Sequence, residues 1–305
     1  MSPDKHTLEE TMLDVGDGHT LYVQVWGNKN GAPMLFLHGG PGSGCSDKHK
    51  KFFDPAKHCV IFFDQRGSGK SLPTGSLEHN TTADMVADID KVLEYAGADK
   101  VTVVGGSWGS TLALCYALER PSRVNALVIR GVFTGRKSEV DQINGGGFRD
   151  FFPEVWEEFV GSVPKSAQED PAAYHASKIF GSNAEHAKKS AFSFGVMEGS
   201  IMSLDDRVHD TDYETYEPSS SMIEMHYVLN GCFIEEGYIL KNAHKLSMPI
   251  HIVQGRYDFV CPPVTAYELA KRAPHAELQM TVAGHSGWDR ENYIAVKTIL
   301  SKLFK

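Results

Sequence analysis

A chain of 305 residues with 41% hydrophobic content exceeds the size of one ordinary core, so a large α/β domain carrying a smaller inserted one is expected. Thirty Lys and Arg stand against thirty-nine Asp and Glu, a net charge of −9 with no basic run, which argues against nucleic acid and anionic membranes as partners. No apolar stretch of spanning length and no N-terminal export signal is visible, and the five scattered cysteines (Cys45, Cys59, Cys115, Cys232, Cys261) lack metal-binding spacing, so a cytoplasmic protein with free thiols is expected.

Two short alternating runs between residues 11 and 26 flank Gly16-Asp-Gly-His19 and predict a hairpin at a sheet edge. Residues 33–38 form a continuous apolar run, hence a buried strand, which empties into His38-Gly-Gly-Pro-Gly42. Consecutive glycines at a strand end can turn backbone N–H groups toward one point, and Gly40 is the candidate for such a donor. A third strand is predicted over 59–63, and in the loop after it Asp64 and Arg66 are expected to form a structural ion pair. Helical spacing then runs from Thr82 to Gly97. Asn80-Thr-Thr82, although a sequon in form, reads as a turn and helix cap.

Val101-Thr-Val-Val104 predicts a buried strand and Thr111-Leu-Ala-Leu-Cys-Tyr-Ala-Leu118 a helix. Gly105-Gly-Ser-Trp-Gly109 joins them, which sets Ser107 on a strand-to-helix turn with glycine two residues to either side, where a side chain would collide. Strain at such a turn lifts the hydroxyl clear of the backbone and leaves the N–H of Trp108 free to face a developing negative charge. One more strand is predicted over 124–132. Between 134 and 245 strand-like alternation gives way to short helical patterns, read as a cap inserted into the core. Regular αβ patterning resumes with a strand over 248–255, a helix over 263–272, a strand over 277–282 and a closing amphipathic helix over 291–304.

A serine hydroxyl is a weak nucleophile and needs a base, which in turn needs an acceptor to fix its tautomer. Asp258 follows the strand that ends at Gly255, and His285 follows the next strand, in Val282-Ala-Gly-His-Ser-Gly287. The competing histidines are worse placed, since His251 is inside a strand and His244 and His275 precede one. The order Ser, Asp, His at the ends of successive strands is that of an α/β-hydrolase: a mostly parallel central sheet flanked by helices, here with an inserted helical cap. The expected core is 1–133 with 246–305, and the cap 134–245.

His38-Gly-Gly-Pro-Gly42, Phe63-Asp-Gln-Arg-Gly67, Gly105-Gly-Ser-Trp-Gly-Ser-Thr-Leu-Ala-Leu114, Arg130-Gly-Val-Phe133, Gly255-Arg-Tyr-Asp258 and Ala283-Gly-His-Ser286 together resemble the proline iminopeptidase family of α/β-hydrolases. The resemblance implies a serine aminopeptidase that needs no metal or organic cofactor and releases an N-terminal residue, preferably proline, from short peptides. It also implies two cap glutamates that hold the substrate ammonium, matched here by Glu198 and Glu224, and a pocket for the first residue that includes Phe133, Cys261 and Gly39. For Glu224 the residues argue independently. It lies among Met222, Ile223, Met225, Tyr227, Val228 and Leu229, so a helix there would carry its carboxylate into poor solvent, where it wants a cation: a substrate ammonium or a nearby Arg or Lys. The segment Gln142-Ile-Asn-Gly-Gly-Gly147 departs from the family's aromatic residues, which loosens the pocket wall. An esterase or lactonase, or an aminopeptidase of broader preference, would use the same Ser107, Asp258 and His285.

Overall fold

The computed structural model describes residues 4–204 and 212–303. β1 (Thr7–Gly16) and β2 (His19–Gly27) form the edge hairpin, joined through Asp17 and Gly18. Both turn residues have positive φ, 55° and 78°, the requirement that makes Asp-Gly a hairpin turn. β3 (Ala32–Leu37), β4 (His58–Phe63), β5 (Val101–Gly106), β6 (Val124–Arg130), β7 (Ile250–Gly255) and β8 (Ala276–Thr281) follow. The eight strands make one sheet in the order β1-β2-β4-β3-β5-β6-β7-β8. β2 is antiparallel to both of its neighbours, and every pairing from β4 to β8 is parallel.

Continuous apolar runs give strands that are buried on both faces. Leu35, Leu37, Ile61 and Phe63 point into a core shared with α1 (Thr82–Tyr95), α2 (Trp108–Glu119) and α9 (Pro263–Arg272). Their alternates Met34, Phe36, Val60 and Phe62 point into a second core with Phe52, Phe53 and α10 (Arg290–Leu303). α2 is buried from Trp108 through Ala117, as a helix without a polar face must be. α1 is capped by Thr81, whose hydroxyl accepts from the N–H of Asp84. Phe304, where the sequence ends the last helix, lies outside the described residues.

The expected ion pair between Asp64 and Arg66 does not form. Arg66 reaches α1 instead and clasps Asp88 through two bonds of 2.7 and 2.8 Å, all three groups buried. Asp64 accepts backbone N–H groups from Cys45 (2.6 Å) and Lys70 (2.8 Å). Loop amides hold the Asp64 carboxylate within its own loop, and the longer Arg66 side chain reaches past it to brace a helix.

Between β6 and β7 the described residues contain helices and no strand: α3 (Lys137–Asn144), α4 (Pro153–Gly161), α5 (Pro171–Ile179), α6 (Ala184–Ser200), α7 (Ser219–Leu229) and α8 (Tyr238–Asn242). Phe148, Phe159, Phe194, Met197 and Met225 from this segment pack with Val260 and Cys261 from the loop after β7 and with Phe133 after β6. The helical layer therefore sits over the carboxyl ends of the strands, where an α/β sheet binds its ligands.

Candidate active site

Ser107 directly follows β5 with φ 57° and ψ −129°, a conformation a residue with a side chain adopts only when its surroundings hold it there. Several contacts hold it. Its N–H donates to the carbonyl of Arg130 (3.0 Å), and its own carbonyl accepts from the N–H (2.8 Å) and hydroxyl (2.6 Å) of Ser110. A Cβ on Gly105 would fall on the carbonyl oxygen of Gly109, and one on Gly109 on that of Leu37, so both positions demand glycine. Trp108 opens α2 and has no carbonyl one turn back to receive its N–H, and its indole N–H donates to Gln65 Oε1 (2.9 Å).

The glycine loop after β3 approaches the same point. Gly40 has φ 104° and lines a cavity together with Ser107. The loop is held by His38, whose pKa is lowered by burial, so the ring is neutral. With its proton on Nδ1, the ring accepts the N–H of Gln65 at Nε2 (3.0 Å) and donates to the carbonyl of Gly39 (2.9 Å), in preference to the longer approach of the Gly44 N–H to Nδ1 (3.2 Å).

The carboxyl ends of β7 and β8 bring Asp258 and His285 together. His285 Nδ1 lies 2.9 Å from Asp258 Oδ2 and 3.1 Å from Oδ1, with both side chains buried. Asp258 Oδ1 also accepts the N–H groups of Val260 (3.1 Å) and Cys261 (2.7 Å), which leaves the carboxylate one orientation. Three residues to which the sequence assigned no role complete the arrangement. Gln254, fully buried at the end of β7, donates from Nε2 to Asp258 Oδ2 (3.0 Å) and to the carbonyl of Cys261 (2.9 Å), and its Oε1 accepts the N–H of Val132 (2.9 Å). Gly131, at φ 51°, lies against the imidazole: a Cβ there would sit 2.9 Å from His285 Cε1. Arg130 holds Ser107 by its carbonyl and donates from Nη1 to the carbonyl of His285 (2.7 Å). The visible signal for Gln254 was a polar residue inside an apolar strand. For Gly131 it was its place after a strand, within the motif Arg130-Gly-Val-Phe133.

Ser107 opens into a cavity of about 50 Å³ lined also by Gly40, Phe133, Cys261, Glu198 and Glu224. Glu198 comes from α6 and Glu224 from α7, and the two carboxyl groups are hydrogen-bonded to each other. Burial, and then the neighbouring Glu198 charge, push the pKa of Glu224 well above the ordinary carboxylate range. Burial also raises that of Glu198, opposed by His285 and by the bond from Glu224. Both shifts favour the protonated carboxyl, more strongly at Glu224. Neither carboxyl has a Lys or Arg partner among the described residues, so the side-chain cation that the sequence left open for Glu224 is not found among them. Gly39 packs 3.5 Å from the Ser107 Cβ, measured from where its own Cβ would be, yet lines a separate hollow with Arg130 and Trp288 rather than this cavity.

No helix among the described residues is long and apolar enough to cross a membrane. A family model described as alpha/beta hydrolase fold matches residues 32–288. The chain is 39% identical to a proline iminopeptidase from Xanthomonas citri over 96% of both chains, and 40% identical to one from Arabidopsis thaliana over 90% of this chain and 74% of that one. Among solved structures it is similar in fold to an esterase from Exiguobacterium antarcticum (TM-score 0.62, 20% identity, 97% and 100% of the two chains) and to a proline iminopeptidase from Mycobacterium smegmatis (TM-score 0.59, 18% identity, 96% and 98%). By its identity to curated relatives over nearly its full length, the chain belongs to the proline iminopeptidase family of the α/β-hydrolase fold.

Proposed function

We propose that the protein is a serine aminopeptidase that releases an N-terminal residue, preferably proline, from short peptides. The observation that carries this reading is the carboxyl pair Glu198–Glu224, which has no Lys or Arg partner among the described residues and lines the cavity of Ser107. A buried pair of acids is unfavourable unless something positive arrives, and a peptide's ammonium supplies that charge. The cavity has room for on the order of four water-sized occupants, enough for one small residue and too little for an internal stretch of chain.

In this mechanism Ser107 attacks the first carbonyl as His285 takes its proton, and Asp258, held by Gln254 and two amides, keeps the imidazole in the required tautomer. The N–H groups of Trp108 and Gly40 face the oxyanion, each contributing about 3 kcal/mol. His285 then protonates the leaving amine, and water repeats the sequence on the acyl-enzyme. Glu198 and Glu224 register the ammonium so that only the first peptide bond reaches the hydroxyl. Phe133 and Cys261 bound the first residue, and residues 134–245 act as a cap over a core of 1–133 and 246–305. Free thiols at all five cysteines suit a cytoplasmic setting.

An ester needs no ammonium, which separates this reading from an esterase on the same Ser107 and His285. Glu224→Gln is expected to lower kcat/KM on proline p-nitroanilide by about a hundredfold, the scale of an interaction with a buried charge, while hydrolysis of a phenyl ester without an amine is nearly unchanged. Equal losses on both would overturn the exopeptidase reading. Labelling by a fluorophosphonate is expected to vanish in Ser107→Ala.

A further inference from the structure

The cavity beside Ser107 has a wall one side chain thick. Val140 and Asn144 of α3 and Val228 of α7 line it, and the same three residues line a second and far larger hollow of about 840 Å³ among α3, α4, α5 and α7. The lining of that hollow includes the apolar Trp156, Val160 and Met225.

Asn144 is the weak point in the wall. It ends α3, and its side-chain amide has no hydrogen-bond partner among the described residues, so turning it costs no bond. The chain after it cannot thicken the wall. Residues 145–147 are glycines, and Gly146, at φ 72°, packs so closely under the Trp156 indole that a Cβ would sit 2.8 Å from the ring. The wall is thus two valines and one movable amide between a small cavity and a large, partly apolar hollow.

We propose that Asn144 swings aside and that the hollow extends the first-residue pocket, admitting peptides whose N-terminal residue carries a long unbranched apolar side chain, of the methionine and norleucine kind. This inference rests on the aminopeptidase reading above. A chain too long for the cavity passes Asn144 and buries its outer methylenes against Val140, Val228 and the apolar lining beyond. Each methylene buried is worth roughly fourfold in kcat/KM.

The test is a series of p-nitroanilides of proline, alanine, 2-aminobutyrate, norvaline and norleucine, assayed with the wild type, Asn144→Ala and Asn144→Trp. In the wild type kcat/KM is expected to rise along the unbranched series, Asn144→Ala keeps or steepens the rise, and Asn144→Trp lowers the norleucine-to-alanine ratio by about tenfold or more, the scale of one or two methylenes excluded. A wild-type kcat/KM that falls with each methylene while proline is cleaved overturns the extension alone, as does a ratio unchanged in Asn144→Trp or lowered in Asn144→Ala. If Asn144→Trp fails to fold, the wild-type series and Asn144→Ala decide the matter. Cleavage of none of the amino-terminal substrates, with a phenyl ester still hydrolysed, is a different result and overturns the aminopeptidase reading together with the extension built on it.

Discussion

Gln254 shows how much of the site hangs on a residue that touches no substrate. Its amide satisfies three groups at once: the Asp258 carboxylate, the carbonyl of Cys261 and the N–H of Val132. Gln254→Leu removes one donor from Asp258 and strands a buried N–H, at a cost of about 1–3 kcal/mol in stability. With one bond fewer, the carboxylate holds the imidazole less firmly in place, and kcat is expected to fall by about 10- to 100-fold while KM changes little. A residue that only filled space would lower stability and leave kcat where it was. Gly131 makes the same point by shape. Gly131→Ala places a methyl against His285 Cε1 in a backbone region that alanine avoids, and kcat is expected to fall by about a hundredfold while KM changes little. A KM effect of the same size would mean that the ring is not what the methyl moves.

At the scale of elements, α6 and α7 matter for what they force together. Each brings one acid to the cavity, the two carboxyl groups are hydrogen-bonded to each other, and burial and mutual charge hold the pKa of Glu224 high. Since the folded value exceeds the unfolded one, the contribution to stability is fully present below the ordinary glutamate pKa and is lost as pH rises through the raised value. The empty protein should accordingly lose stability from about pH 4.5 upward, and Glu224→Gln, which keeps the bond to Glu198 without the second charge, should remove that loss. The Tm difference between variant and wild type is expected to be near zero at pH 5 and to reach a few degrees at pH 8. A difference independent of pH would mean that the pKa of Glu224 is not raised.

Sheet and elbow were legible because their causes are local. Period-two runs, continuous apolar strands and glycines around Ser107 act within a few residues, and the strands appeared within a few positions of their predicted bounds. The acid pair was half legible: the apolar surroundings of Glu224 announced a carboxylate in poor solvent, but that its partner is Glu198 depends on how two helices pack. Asp64 and Arg66 misled for the complementary reason, since proximity in sequence said nothing of Asp88 waiting on α1.

At the scale of the whole molecule, the net charge of −9 acts on a substrate whose recognised end is a cation. An acidic surface raises the local concentration of a positively charged peptide derivative, and salt screens that attraction over a Debye length of about 10 Å at 0.1 M. The kcat/KM of proline p-nitroanilide is expected to fall several-fold between low and moderate ionic strength, mainly through KM, because the field acts on encounter and binding rather than on the hydroxyl's attack. A neutral ester processed by the same Ser107 and His285 lacks the cation and should respond little. In Glu224→Gln the same salt series separates the distant field from the local grip: removing one acid weakens binding at every ionic strength but leaves most of the surface charge. The salt slope should therefore survive the substitution even as the absolute rate drops. A slope that disappears with Glu224 would assign the whole salt effect to the cavity.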